Sequence, residues 1–417
     1  MRPARRDAAS FPGEDGAGKA DLLLQGTEMK TRFITLAFAA ALGLSAAQSA
    51  YAQVDEALLE RLKSFSAEQG TTLDWQDAED FTDADGNDGV RLVNARFGSG
   101  DEEVVISELE LSDVSEEGGS WRIGSVRVPG QEFSEDGSVV ALSDFSIDGL
   151  VLPPEGDTEA TPMYDAAALG AMTVTSGGKE VFTLTDFHVE TTLGSGGPVG
   201  FTGAADAFSV NIDGIEDASS REMIRAMGYE SLEGSFEFAG SWHPEDGTLE
   251  LSQYDVTIDD AGTFGIKLQL GGYTRDFLAA LRQVQQMSAA GGDDSAAGMA
   301  MLGLLQQLTF HSARIEFTDD TLTSRALEYV AAQQGASPAD IANQAKAVVP
   351  FMLMQLNNPE LVMSATQAVS AFLDDPQNLA ITAQPTTPMP FALLFAGAMS
   401  APQALPQQLG VKVIANE

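Results

Sequence analysis

The stretch VALSDFSI at residues 140–147 has three counterparts: VVISELEL at 104–111, FTLTDFHV at 182–189 and LELSQYDV at 249–256. In each, apolar residues two positions apart precede a Ser/Thr and an Asp, Glu or Gln, and apolar residues two apart then resume. A spacing of two places side chains on one face of a β-strand. The repeat therefore predicts a stack of hairpin units that share one apolar face. Chance recurrence of a short degenerate pattern is the alternative.

The polar pair in the middle of each copy shifts the apolar positions by one residue. Without compensation, the apolar side chains of the second half would lie on the opposite face of the sheet. A β-bulge or a sharp bend at the pair, for example at Ser143-Asp144, would restore the alternation. We therefore expect a backbone irregularity in each copy.

Residues 53–273 form the predicted β-repeat region. The turn signals Asp85-Gly86, Asp136-Gly137 and Asp246-Gly247 separate its alternating segments and favour antiparallel hairpins. A short amphipathic helix precedes the strands, because apolar residues recur at helical spacing between Asp55 and Gly70.

Residues 274–417 change to helical spacing. Helices are predicted over 274–288, 296–308, 322–334, 338–356 and 359–373, with strands at 310–317 and 411–414. Ser337-Pro338 and Asn358-Pro359 each combine a capping residue with proline at the first helical position. The predicted fold class is α+β: an antiparallel β-repeat region, as a sheet or an open groove, with a mostly helical C-terminal part packed on it. Closure and a sandwich remain alternatives for the β region.

Residues 29–52 have the three-part pattern of a secretory signal peptide. Lys30 and Arg32 precede the apolar stretch 33–47, which is shorter than the roughly 20 residues of a membrane-spanning helix. We expect cleavage near Ala52-Gln53 and a periplasmic or secreted protein with no integral membrane span. Residues 1–28 are interpreted as a wrongly assigned start of the reading frame.

Charge and cysteine content exclude several classes of function. The chain has a formal net charge of −40 and no cysteine. Nucleic acids and anionic lipid surfaces are bound through clustered Lys and Arg, and the sequence has no such cluster. Disulfides, thiolate metal sites and cysteine nucleophiles are excluded as well. The charge is typical of a solvated acidic surface, and a divalent cation or a basic protein is the alternative partner.

No catalytic constellation is evident, so we name no catalytic residue and predict a protein that is not an enzyme. His188, His243 and His311 lie on separate predicted segments without metal-ligand spacing. Ser176 and Lys179 match a Ser-x-x-Lys spacing, but Gly-Gly between them predicts a turn, and the companion motifs are missing. A hydrolase that uses scattered carboxylates is an alternative, because paired acids leave no signature in so acidic a chain.

One acidic loop is a candidate calcium site, formed by Asp83, Asp85, Asn87 and Asp88. Oxygen ligands on alternate residues of a tight loop suit calcium. The loop departs from the EF-hand pattern, which has glycine at the position of Asp88 and glutamate at the position of Asn94. An acidic turn without a ligand is the alternative.

Two resemblances bear on function. The segments SRALE at 324–328, FLDDP at 372–376 and LGVKV at 409–413 resemble the C-terminal part of uncharacterised secreted bacterial proteins. The repeat, with GTLEL at 247–251, loosely resembles the β-repeats of AsmA-like periplasmic envelope proteins over residues 90–273. The second resemblance implies an envelope scaffold or an apolar groove that handles lipid, and it carries over no active-site residue.

Methionines on the predicted helices suggest either core packing or an adaptable apolar surface. They are Met287, Met299, Met301, Met352, Met354 and Met363. Together these features predict an exported, non-enzymatic envelope protein with a binding or scaffolding role, which holds a lipid or other apolar ligand on a β face. A calcium-binding adhesion or structural protein is the alternative.

Overall fold

The computed structural model describes residues 56–68, 71–99, 102–135, 137–156, 163–193, 198–215, 217–289, 294–354 and 358–417. The predicted signal peptide and the segment before it lie outside these residues. The strands of the described residues are β1 (Thr72–Asp74), β2 (Asp77–Thr82), β3 (Asp88–Ser99), β4 (Glu102–Glu117), β5 (Ser120–Val128), β6 (Gln131–Glu135), β7 (Ser138–Leu152), β8 (Ala166–Ser176), β9 (Lys179–Leu193), β10 (Val199–Asn211), β11 (Ser231–His243), β12 (Thr248–Ile258), β13 (Gly262–Gly271), β14 (Thr309–Asp319), β15 (Asn378–Ala383), β16 (Met389–Pro390) and β17 (Lys412–Ala415). The helices are α1 (Glu56–Glu68), α2 (Ala218–Ala226), α3 (Arg275–Ala289), α4 (Asp294–Leu305), α5 (Leu322–Gln334), α6 (Pro338–Leu353), α7 (Pro359–Asp374), α8 (Phe391–Ser400) and α9 (Leu405–Gln408).

All seventeen strands belong to one antiparallel sheet whose order follows the chain. Strands β3 to β5 and β7 to β15 pair in succession, β1 and β2 pair with β3, and β17 pairs with β15. Strands β5 and β6 both pair with β7, and in the same register. They therefore form one strand that is interrupted at Pro129-Gly130. The α+β class is confirmed. The sheet extends beyond the predicted region 53–273, because β14 to β17 also belong to it. Helices α5 to α9 connect these strands along the chain.

The predicted irregularity occurs in three of the four copies, in different forms. In the second and third copies, Asp144 and Asp186 adopt a left-handed conformation, with φ of 43° and 51°. In the fourth, β12 carries one extra residue relative to β13 after Leu251. The first copy keeps its register at Ser107, and the left-handed residue is Asn94, directly opposite on β3 (φ 49°). The irregularity is therefore a property of the strand pair, and either strand can carry it.

The core of the N-terminal part lies between α1 and the sheet. Leu58 and Leu62 of α1 pack in one buried cluster with residues of β1 to β5 and β7. Ile106 and Leu109, which precede and follow the polar pair of the first copy, belong to this same cluster. The irregularity thus returns the apolar side chains to one face, as the repeat predicted.

The predicted helix boundaries of the C-terminal part are largely confirmed. Ser337 Oγ accepts a hydrogen bond from the Asp340 N–H (3.2 Å), while an Asp340 carboxylate oxygen accepts one from the Ser337 N–H (3.2 Å). Asn358 caps α7 in a similar way, and Gly335 ends α5 with a φ of 64°. Helices α2, α8 and α9 and strands β15 and β16 were not predicted.

Candidate apolar binding surface

The strand registers align apolar side chains into one continuous row across the sheet. We call it the central row; it consists of Phe145, Leu169, Phe187, Ala205, Phe236, Val256, Phe264, Phe317, Leu379 and Ala415, one residue from each of β7 to β15 and β17. Phe145 packs against the buried cluster under α1. The apolar face of the sheet is therefore an extension of the N-terminal core.

This face becomes exposed toward the C-terminal strands. Phe264 of the central row is 43% exposed, and Ile315 and Ile381, which are paired with each other on β14 and β15, are 44% and 48% exposed. Ile315 also pairs with Ile266 of β13. Large apolar side chains in the middle of a sheet are normally covered, so this exposed part is the candidate binding surface.

Aromatic rings fill the same face over neighbouring glycines. Phe238 lies opposite Gly203, and Phe201 lies opposite Gly240. A Cβ atom at Gly203 would lie 2.4 Å from Phe238 Cζ, and one at Gly240 would lie 2.4 Å from Phe201 Cζ. The glycines thus let the rings lie close to the backbone of the adjacent strand. Sequence reasoning missed these pairs, because they depend on the register between strands.

The opposite face of the sheet carries polar side chains on β11 to β14, whereas Ala380 and Ile414 continue it on β15 and β17. The residues that alternate with the central row include Glu237, Asp255 and Glu316. Arg314 donates two hydrogen bonds to the Glu316 carboxylate, at 2.8 and 3.0 Å. This pairing lowers the pKa of Glu316. From β11 to β14, the sheet therefore has one face suited to water and one suited to an apolar ligand.

The candidate calcium residues lie together at the turn between β2 and β3, with Asp88 as the first residue of β3. Asp83 accepts hydrogen bonds from the N–H groups of Asn87 (2.8 Å) and Asp85 (3.0 Å), from the Asn87 side-chain amide (3.0 Å) and from the Ser112 hydroxyl (2.7 Å). These bonds, the Asn87 N–H first, lower the pKa of Asp83 to about 2. Both carboxylate oxygens of Asp83 thus accept hydrogen bonds from within the protein, while Asp85 and Asp88 are exposed. The calcium site remains a prediction.

The structure places the three histidines on different strands, β9, β11 and β14. Within the described residues, no group of three or more His, Asp or Glu side chains is arranged to hold a metal ion. His188 Nδ1 lies 3.3 Å from the backbone oxygen of Asp186, and His311 Nε2 lies 3.2 Å from the Thr309 hydroxyl. These are local contacts within one strand.

Several of the methionines predicted on the helices have largely exposed side chains. Met299, Met352, Met354 and Met363 are 60–68% exposed, whereas Met301 packs against the buried cluster of Phe277, Val284, Leu304 and Leu308. Between α6 and α7 lies a cleft of ≈ 520 Å³, lined by Pro350, Met354, Val362, Met363 and uncharged polar residues. The helical part therefore adds apolar surface to that of the sheet.

Comparisons with known proteins cover only the C-terminal part of this fold. A protein-family model described as "Uncharacterized protein" matches residues 255–416, from the middle of β12 to the last residue but one. A comparison with curated proteins finds no match. The matched range contains the exposed residues Phe264, Ile315 and Ile381.

Proposed function

We propose that this chain is an exported, non-enzymatic envelope protein that holds a lipid acyl chain, or another elongated apolar molecule, against the apolar face of its sheet. The observation that carries the proposal is the exposed patch of Phe264, Ile315 and Ile381 on a continuous apolar face. Monomeric soluble proteins rarely leave a large contiguous apolar patch open to water, and such patches commonly mark ligand or partner sites.

The open part of the face crosses three neighbouring strands. Such strands lie about 4.8 Å apart, so Phe264, Ile315 and Ile381 on β13 to β15 span roughly 10 Å across the sheet, and Phe317 of the central row packs against Phe372 of α7. Each methylene group that leaves water contributes about 0.8 kcal/mol. The ligand's polar head group can reach solvent at the open part of the face, and the polar opposite face, with Arg314 and Glu316, stays in water.

The proposal can be tested on protein purified after export of the full chain. Extraction with organic solvent followed by mass spectrometry should show a co-purifying lipid, and the stripped protein should bind a fluorescent fatty acid. The variant Ile315→Thr/Ile381→Thr places two hydroxyls on the patch while keeping β-branched side chains, so it should bind at least several-fold more weakly.

A matched control lies on the same two strands. Thr318 and Thr382 are on the polar face, and the nearly isosteric variant Thr318→Val/Thr382→Val should bind the fatty acid as the wild type does. Circular dichroism and thermal melting check that both variants fold. If no lipid co-purifies and the stripped protein binds no fatty acid, the proposed function is wrong.

A further inference from the structure

Two neighbouring helices of the C-terminal part expose large apolar side chains on their outer surface. Met299 and Leu302 of α4 are 68% and 57% exposed, and Leu393, Phe395 and Met399 of α8 are 59%, 49% and 88% exposed. Helices α4 and α8 contact each other. We call these five residues the α4–α8 surface.

The surface is anchored to the fold. The Phe391 N–H at the start of α8 donates to the Leu308 backbone oxygen (3.0 Å), and the Phe391 ring packs against the buried cluster that contains Leu304 and Leu308. Gly397 of α8 allows Leu405 to approach, since a Cβ there would lie 2.8 Å from Leu405 Cδ2. The inner side of α8 is thus held in place while its outer side is exposed.

Beyond Asp294, the first residue of α4, the segments that build this surface contain no Asp, Glu, Lys or Arg. Residues 295–313 and 376–411 contain no Asp, Glu, Lys or Arg, although the whole chain has a net charge of −40. Two copies of so acidic a protein repel each other, which disfavours a second copy as the partner. The absence of Lys and Arg also removes the usual attraction to anionic lipid.

We propose that the α4–α8 surface docks on an uncharged, zwitterionic lipid membrane, with Leu393, Phe395 and Met399 inserted at the boundary between head groups and acyl chains. Among the described residues, no helix is long and apolar enough to cross a membrane. Helix α8 has ten residues and a length of about 15 Å, so it lies in the interface.

The location of the surface links it to the sheet. Helix α4 leads into β14, and α8 follows β16, which pairs with Thr309 and Phe310 at the start of β14. Docking through α4 and α8 would therefore place the membrane near one end of the strand that carries Ile315. The docking proposal does not depend on lipid binding by the sheet and has a separate test.

The test is flotation of the exported protein with phosphatidylcholine vesicles. We expect the protein to float with them, and the bound fraction to stay unchanged between about 50 and 500 mM salt, because apolar insertion is not screened. Vesicles containing about one third phosphatidylglycerol should bind less protein, because the lipid and the protein repel each other. The variant Leu393→Gln/Phe395→Gln/Met399→Gln should lower the partition coefficient by roughly tenfold or more.

The matched control is Val348→Gln/Phe351→Gln/Met352→Gln on α6, which replaces three apolar residues that are 50–68% exposed. It should float as the wild type does. A second probe needs only one substitution, because the chain has no cysteine and a single introduced thiol can be labelled with an environment-sensitive dye. The fluorescence of the dye at Met399→Cys should shift to the blue on phosphatidylcholine vesicles, and that of the dye at Phe351→Cys should not.

Several results would overturn the docking proposal. These are a wild type that stays unbound, an α8 variant that floats as well as the wild type, an α6 variant that loses as much binding, or a label at position 399 that reports no apolar environment. A wild-type dimer in sedimentation equilibrium that the α8 variant dissociates would show that a second copy covers the surface, and it would also overturn the proposal.

Discussion

Gly203 of β10 lies directly opposite Phe238 of β11, and a Cβ atom at Gly203 would lie 2.4 Å from Phe238 Cζ and 2.8 Å from the backbone oxygen of His188. The ring therefore occupies the space that a side chain at position 203 would need. This relationship brings the aromatic rings of the apolar face close to the backbone of the neighbouring strand.

Gly203→Ala should destabilise the fold by about 1–3 kcal/mol, because the methyl group overpacks against a ring and a fixed backbone atom. Thermal and denaturant unfolding measure the loss. Gly200→Ala on the same strand is the control, since the nearest atom to its Cβ would be Thr192 Cβ at 3.7 Å, and it should change stability little. In the background of Phe238→Leu, Gly203→Ala should cost less; an unchanged cost would refute the steric explanation.

The left-handed conformation of Asp186 should be costly for a β-branched residue. Asp186→Val should lower the free energy of unfolding by about 1–2 kcal/mol, whereas Asp186→Gly should not, because glycine adopts a positive φ readily. Asp206 lies opposite on β10 and lacks a positive φ, so Asp206→Val is the control and should be nearly neutral. Equal losses in Asp186→Val and Asp206→Val would contradict a conformational cause.

Helix α1 should be an integral part of the fold, because Leu62 is only 1% exposed within the N-terminal core. Leu62→Ala should cost about 2–5 kcal/mol in denaturant unfolding, from lost burial and the cavity that remains. Glu60 is exposed on the same helix, and Glu60→Ala should leave stability within about 0.5 kcal/mol of the wild type. If Leu62→Ala unfolds like the wild type, α1 does not contribute to the core.

The apolar face of the sheet could be predicted well from the sequence, because the spacing of apolar residues in the repeat indicates which side chains point inward. The sequence also located the irregularities of the second, third and fourth copies, since a shift of one residue requires compensation. It could not show that Asn94, and not Ser107, takes the left-handed conformation, because that choice belongs to a strand pair. The glycine–aromatic pairs were missed for the same reason. Helix α8 was missed because the flanking prolines suggested short irregular pieces, and the exposed patch at Ile315 depends on which elements leave the face uncovered.

The calcium hypothesis has a direct test. If the β2–β3 turn binds calcium, calorimetric titration of the purified protein should give heat that is lost in Asp83→Ala/Asp85→Ala. A wild type that gives no heat rejects the site. The hydrogen bonds to both Asp83 oxygens mean that calcium would have to replace donors from Asn87 and Ser112.

The same hydrogen bonds make the contribution of Asp83 to stability dependent on pH. The N–H of Asn87, followed by the Ser112 hydroxyl, lowers the pKa of Asp83 to about 2, below the roughly 3.9 of an unfolded aspartate. A depressed pKa in the folded state stabilises the protein above the unfolded pKa, and this stabilisation is lost as the pH falls toward 2. Asp83→Ala should therefore melt below the wild type at neutral pH, and the difference should shrink between about pH 4 and pH 2.

Asp83→Asn is the control, because it keeps an acceptor oxygen without the charge. It should melt between Asp83→Ala and the wild type at neutral pH and, like Asp83→Ala, lack this titration. A melting difference that stays constant down to about pH 2 would contradict the assignment of this stabilisation to the ionised Asp83 carboxylate.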